Sequence, residues 1–166
     1  SKNVQAWRFL VALARLQDSY DELLLGLNHL HMLSDIDAEN AIYLKEIGVV
    51  YRDEKGDSLR AEEAFAKALQ RSPLDEELFF DLIDLVAGRL EEKLSSRELS
   101  RLPSDLFLEE IQPHLFLVLE AKRDEGDLGP RSFPFELLVA LHYGAFGEER
   151  TARELFEKLY AMNQDH

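Results

Sequence analysis

Between residues 48 and 73, small, aromatic and helix-breaking residues follow one another at spacings that one continuous helix does not explain. The positions concerned are Gly48, Tyr51, Gly56, Ala61, Phe65, Ala68 and Pro73. Glycine just past a helix end and proline after the next helix are both typical of helix termination. Small residues on facing helices let the two backbones approach closely, and aromatic rings fill the space beside them. The stretch therefore predicts a tightly packed helical hairpin.

Apolar residues recur at helical spacing along most of the chain and predict eight helices. The predicted ranges are 3–16, 19–33, 38–54, 58–71, 75–92, 105–123, 133–145 and 149–162. Asp75 is the expected N-cap of the fifth helix. Pro113 falls within the sixth, where it should kink the helix or begin a new first turn. The run "HLFLVLE" at 114–120 also suits a buried strand, but helix is preferred because no partner strand is evident.

The hairpin has counterparts elsewhere in the chain. With Ala41 at position 1 and one residue inserted in the turn, Gly48, Tyr51, Ala61 and Phe65 stand at positions 8, 11, 20 and 24. A second copy places Tyr143, Gly147, Ala152 and Phe156 at positions 11, 15, 20 and 24. Looser copies begin at Val4 and Glu76. This pattern resembles the tetratricopeptide repeat (TPR) family.

The resemblance implies an all-α, right-handed α-solenoid of about four TPR-like helix pairs, forming one domain over residues 1–166. The implied units are 4–37, 41–74, 76–124 with an insertion at 93–104, and 133–166. A competing register remains open, because "RDEGD" at 123–127 echoes "RDEKGD" at 52–57 and would make the sixth helix the first of a pair. The chain begins without methionine and is expected to be a fragment of a larger protein.

The chain is strongly acidic, with 19 basic and 33 acidic residues and a formal net charge of −14. Such a charge repels phosphate backbones and anionic membrane surfaces, so binding to nucleic acid is not expected. No apolar run is long enough for membrane insertion. With no cysteine, the sequence does not indicate the compartment, and both a cytoplasmic and a periplasmic location are open.

No residue pattern in the sequence indicates catalysis. His29 and His31 are two residues apart on a predicted helix, so they point in different directions and are not expected to share a metal. Zinc-protease, phosphate-loop, nucleophile-elbow and calcium-loop motifs are all missing from the sequence. We therefore expect a protein that is not an enzyme and that uses no cofactor or metal.

The resemblance implies that the first helix of each pair lines a concave groove. Its groove positions 5 and 12 carry Arg8 and Arg15 in the first unit and Lys45 and Arg52 in the second. The corresponding apolar groove residues farther along are Phe80, Leu137 and Leu141. Together these residues predict a partner-binding groove for an acidic segment with a hydrophobic anchor. The alternative is that the four cations pair with neighbouring Glu and Asp residues.

The predicted function is a non-catalytic protein-interaction scaffold within an assembly, secretion or trafficking complex. One alternative is a structural spacer or self-association module, which would make a homo-oligomer. Others are an accessory domain of an exopolysaccharide export machine, or a domain attached to an enzyme whose chemistry lies elsewhere. The second helix bears on self-association, because Leu25, His29 and Met32 form an apolar face besides its core stripe. We expect neighbouring helices to cover that face.

Overall fold

A computed structural model describes residues 2–93 and, beyond them, residues 109–111, 113–115, 117–118, 120–121, 150, 153 and 157. The chain divides into two compact units, Ser1–Phe107 and Leu108–His166. Every regular element in the described ranges is helical, and no strand occurs there. The all-α prediction is therefore confirmed for this part of the chain. The single-domain assignment stays a prediction.

Residues 2–93 of the first unit form five α-helices and one π-helical turn. Their bounds are α1 Lys2–Leu16, α2 Tyr20–Leu33, α3 Asp37–Val49, the π-helical turn Val50–Glu54, α4 Ser58–Arg71 and α5 Glu76–Lys93. When the π-helical turn is counted with α3, each predicted helix boundary in this unit lies within one residue of the observed one. Every helix packs against the next in chain order, from α1 through α5. The arrangement agrees with stacked helical hairpins.

The helix ends confirm the termination signals that the sequence carries. Gly56 adopts a left-handed backbone conformation with φ of 63°, which favours glycine because it has no Cβ. The Asp57 side chain then caps α4 by accepting a hydrogen bond of 3.0 Å from the Arg60 backbone N–H. Asp75 caps α5 in the same way, accepting from the Leu78 N–H at 3.0 Å.

The one-residue insertion required by the repeat register corresponds to the π-helical turn. Its backbone bonds span five residues instead of four, and the Lys55 N–H donates to the Val50 carbonyl at 3.1 Å. A π-helical turn absorbs one extra residue without ending the helix. The turn thus carries α3 onward through Tyr51 and Arg52, and the chain reaches Gly56 one residue later than the repeat pattern requires.

The close approach of α3 and α4 depends on a glycine facing an aromatic ring. Phe65 is fully buried, and a Cβ added to Gly48 would overlap its ring. In the α1–α2 pair the glycine is on the other helix: a Cβ on Gly26 would lie 2.6 Å from Cγ2 of Val11. Both pairs therefore use a missing side chain to bring the helices together.

The two faces of α2 have different environments. The predicted core stripe is confirmed, since Leu23, Leu24, Leu27 and Leu30 are all buried. The expectation that neighbouring helices cover the second face is wrong for two residues, because Leu25 is 51% exposed and Met32 79% exposed. His29 on that face is partly buried, with its ring stacked on Trp7 at a centroid distance of 3.9 Å.

In the second unit the described residues support helix over strand for the apolar run at 114–120. Its described members are helical, and so is Pro113. Ile111, Leu115 and Val118 are all buried, at the spacing of one helical stripe. Residues 150, 153 and 157 of the predicted last helix are helical too. The predicted helix at 133–145 lies outside the described residues, and so does the predicted insertion at 93–104 apart from Lys93, which ends α5.

Substituting alanine at two helical glycines tests the close packing of α3 on α4. Gly88→Ala in α5 meets no atom within 4 Å, so it should stabilise the protein by about 1 kcal/mol through helix propensity. Gly48→Ala gains the same propensity but must displace the Phe65 ring, an overpacking cost of about 1–3 kcal/mol. We expect the Gly48 variant to be less stable than the Gly88 variant by that amount in urea unfolding. Equal stabilities would contradict the packing.

Candidate partner-binding face

The four cations predicted to line the groove lie on the odd-numbered helices. Arg8 and Arg15 belong to α1, Lys45 to α3, and Arg52 to the π-helical turn that continues α3. Each of them forms an ion pair with a carboxylate on the next odd-numbered helix or at its N-terminus. The alternative that the sequence left open, pairing with Glu and Asp, is therefore confirmed. Binding of a partner at these residues stays a prediction.

Two of these ion pairs join equivalent positions of successive helix pairs in the predicted repeat register. Arg15 donates from Nε and Nη2 to both carboxylate oxygens of Glu46, at 2.7 and 2.5 Å. Arg52 lies 3.1 Å from Asp81, measured from Nη1 to Oδ1. In the predicted repeat register, both arginines occupy position 12 and both acids occupy position 6 of the following repeat. The pairs thus join α1 to α3, and α3 to α5, at equivalent points.

The position-5 cations form the remaining links. The Lys45 ammonium contacts both Asp75 oxygens at 3.2 and 3.5 Å, and it contacts Oε2 of Glu77 at 2.7 Å. Lys45 therefore joins α3 to the N-terminal cap of α5. The Arg8 contact is looser, with Nη2 lying 3.3 and 3.5 Å from the two Glu39 oxygens.

Hydrogen bonding to carboxylates fixes the charge of these groups. The Glu46 hydrogen bond raises the pKa of Arg15, and the Asp53 hydrogen bond raises the pKa of Arg52. Burial alone would lower the pKa of Lys45, but its hydrogen bonds to Glu77 and Asp75 outweigh burial and raise it. Arg52 in turn lowers the pKa of Asp53. These shifts move the pKa of Arg15, Lys45, Arg52 and Asp53 farther from neutral pH, where each side chain carries its charge.

Exposed apolar side chains lie among the ion pairs. Ile42 is 63% exposed, three residues before Lys45 on one side of α3. Phe80 is 40% exposed, three residues after Glu77, and its ring packs edge-on against Phe79. The Lys45–Glu77 pair thus has an exposed apolar residue one turn away on each helix. We call this surface the α3–α5 face; its residues are Ile42, Lys45, Val49 and Arg52 together with Glu77, Phe80, Asp81 and Asp84.

Five of the seven predicted groove residues lie in the compact unit Ser1–Phe107 and are described: Arg8, Arg15, Lys45, Arg52 and Phe80. Leu137 and Leu141 lie outside the described residues. Sequence reasoning missed the acidic partners because they lie about thirty residues from their cations. The repeat register contained a signal for two of them: position 6 is acidic in the second and third units, at Glu46 and Asp81.

A cavity of about 290 Å³ adjoins the Arg8–Glu39 pair, between α1, α2 and α3. Its apolar wall includes Val4, Leu30 and Leu33. The cavity lies just below the size of sites that hold drug-like ligands, roughly 300–1,000 Å³. Within the described ranges, no three His, Asp or Glu side chains are grouped as a metal site would require, and no helix is long and apolar enough to cross a membrane.

Comparison of the sequence with protein-family models and with functionally characterised proteins finds no match. We therefore infer function from the geometry of the α3–α5 face.

A double-mutant cycle on Arg15 and Glu46 tests whether the repeated ion pair stabilises the stacking of α1 on α3. Because Arg15 is about half exposed, we expect a coupling of only about 0.5 kcal/mol between Arg15→Gln and Glu46→Gln. About 1 M salt should reduce it, since the screening length falls to about 3 Å. Urea unfolding of the four proteins measures the coupling. A charge swap, Arg15→Glu with Glu46→Arg, should recover part of the stability that either reversal alone removes; no recovery would contradict the pairing.

Acid titration tests the Arg52–Asp53 pair. The pKa of Asp53 is lowered from its ordinary value of 3.8, so its contribution to stability is present above that pH and is lost as the pH falls through the lower folded-state pKa. We expect the unfolding free energy of Asp53→Asn to depend less on pH below about 3.8 than that of the unsubstituted protein. Urea unfolding at a series of acidic pH values measures this. Parallel pH curves for the two proteins would contradict the shift.

Proposed function

We propose that this chain is a non-catalytic scaffold whose odd-numbered helices bind a segment of a partner protein. In this proposal the helical hairpins continue as a right-handed TPR-like solenoid of about four pairs. The stacking of consecutive helices and the position-12 to position-6 ion pairs support a repeating architecture. Repeat arrays of this kind present extended surfaces suited to peptide segments.

The exposure of Ile42 on α3 is the observation that carries the proposal. This residue lies on the same side of α3 as Lys45, between Glu39 and Glu46, which pair with α1. An exposed branched apolar residue among ordered charges gives a partner both an apolar contact and fixed polar groups. Burying an isoleucine in an interface contributes about 1.5–3 kcal/mol, enough to anchor a short segment.

The ion pairs support a binding role over a catalytic one. Arginine and lysine are protonated at neutral pH, and hydrogen bonding to carboxylates raises the pKa of Arg15, Lys45 and Arg52 further, whereas a general base or acid needs a pKa near the working pH. Their carboxylate partners link successive helices. These groups therefore serve as fixed charges on a preorganised surface.

Self-association is the second candidate function, and the exposed face of α2 favours it. Leu25 and Met32 are exposed one above the other on this helix, whereas the equivalent α4 positions carry Glu63 and Gln70. Two large exposed apolar side chains at matched spacing are typical of a contact surface. We rank this second because α2 contributes one ion pair among the described residues, Asp21–Lys55 near its first turn, whereas Ile42 lies between two acids that pair with α1.

A displayed library of random peptides, selected on the immobilised protein, tests the scaffold proposal. We expect enriched peptides whose affinity falls about tenfold or more for Ile42→Ser, because the anchor contact is lost. The matched control is Leu59→Ser, which removes a similarly exposed leucine, 60% exposed, from α4. Fluorescence anisotropy with the individual peptides measures both changes.

Circular dichroism and thermal unfolding must show that both variants retain the fold. Selection of no peptide would contradict the proposal. Equal binding to the Ile42 and Leu59 variants would also contradict it, since the contact surface would then lie elsewhere.

A further inference from the structure

We infer that the segment bound by the α3–α5 face is basic, with Lys or Arg side chains that use both their aliphatic stems and their charged ends. The inference rests on the proposed function and specifies its ligand. It reverses the charge expected from the four cations alone, because their carboxylate partners become visible only in the folded protein.

The cations of this face have few donors left for a ligand. Lys45 has three N–H donors, and its ammonium makes three contacts, two with Asp75 and one with Glu77. Arg52 donates from Nε and Nη2 to Asp53, and its Nη1 lies 3.1 Å from Asp81. Its guanidinium carbon also lies 5.5 Å from the centroid of the Phe65 ring. A ligand carboxylate would have to displace a carboxylate of the protein that already pairs with Lys45 or Arg52. The number of ion pairs would therefore not rise.

Hydrogen-bond acceptors, by contrast, remain available on the acidic side chains of this face. The Glu77 side chain is 79% exposed although one of its oxygens contacts Lys45. Asp84 is exposed and forms no ion pair with any residue in the described ranges. With Asp53 and Asp75 included, five carboxylates surround the two cations, which gives this part of the surface a net charge of −3. Each carboxylate can accept further hydrogen bonds from ammonium or guanidinium groups.

The apolar residues of the face suit the same ligand chemistry. Ile42 and Phe80 flank the Lys45–Glu77 pair, so an apolar stem lying on either of them would end close to Glu77. Lysine and arginine combine such a stem with a cation. A guanidinium can also stack on the exposed part of the Phe80 ring. The chain's net charge of −14 further favours encounter with a basic partner.

The same displayed library provides the test, because its members carry every net charge. Among peptides whose binding depends on Ile42, we expect a clear excess of positive net charge. For the individual peptides, the double variant Glu77→Gln with Asp84→Asn should weaken binding about fivefold, and Asp84→Asn alone, which breaks no ion pair in the described ranges, should weaken it about threefold. The matched control, Glu22→Gln with Glu63→Gln, removes two exposed carboxylates from α2 and α4 and changes the net charge equally. It should leave affinity within about twofold.

The outcomes separate this inference from the proposed function. Ile42-dependent peptides with a negative or neutral average charge would overturn the basic-ligand inference and leave the scaffold proposal standing. Equal weakening by the two double variants would also overturn it, since attraction to the whole acidic surface would then explain the charge preference. Selection of no Ile42-dependent peptide would overturn both.

Discussion

The Phe65 ring lies directly against the backbone of Gly48, and the position of the charges on the α3–α5 face depends on this contact. It brings α3 close to α4 and leaves the ring face beneath Arg52, 5.5 Å from its guanidinium carbon. The π-helical turn then carries Arg52 toward Asp81 of α5. The absence of a side chain at Gly48 thus sets the distance between α3 and α4. Through Arg52, which lies over the Phe65 ring, it also positions the ion pair with α5.

Much of the first unit could be predicted from its sequence because the signals are local. Gly56 and Asp75 determine where helices end or begin through contacts within a few residues, and both behave as expected. The inserted residue was visible as a break in the repeat register. That it forms a π-helical turn was not visible, since the same insertion could have lengthened the loop before α4.

The charge of the α3–α5 face could not be predicted because it depends on residues distant in sequence. No acidic residue lies three or four positions from Lys45 on α3. Its partners Asp75 and Glu77 lie thirty and thirty-two positions away. The exposure of Leu25 and Met32 was missed for a related reason. Helix periodicity identifies an apolar face, but whether another helix covers that face depends on how successive pairs stack.

The ion pairs give the cations and the acids unequal roles in any binding event. Removing Lys45 or Arg52 breaks a link between α3 and α5, so it changes the shape of the face as well as its charge. Removing Asp84 changes only the charge, since it makes no ion pair within the described residues. Loss of binding after a change at a cation is therefore weak support for direct contact with a ligand. Asp84 is therefore the position at which an effect on binding can be separated from an effect on helix stacking.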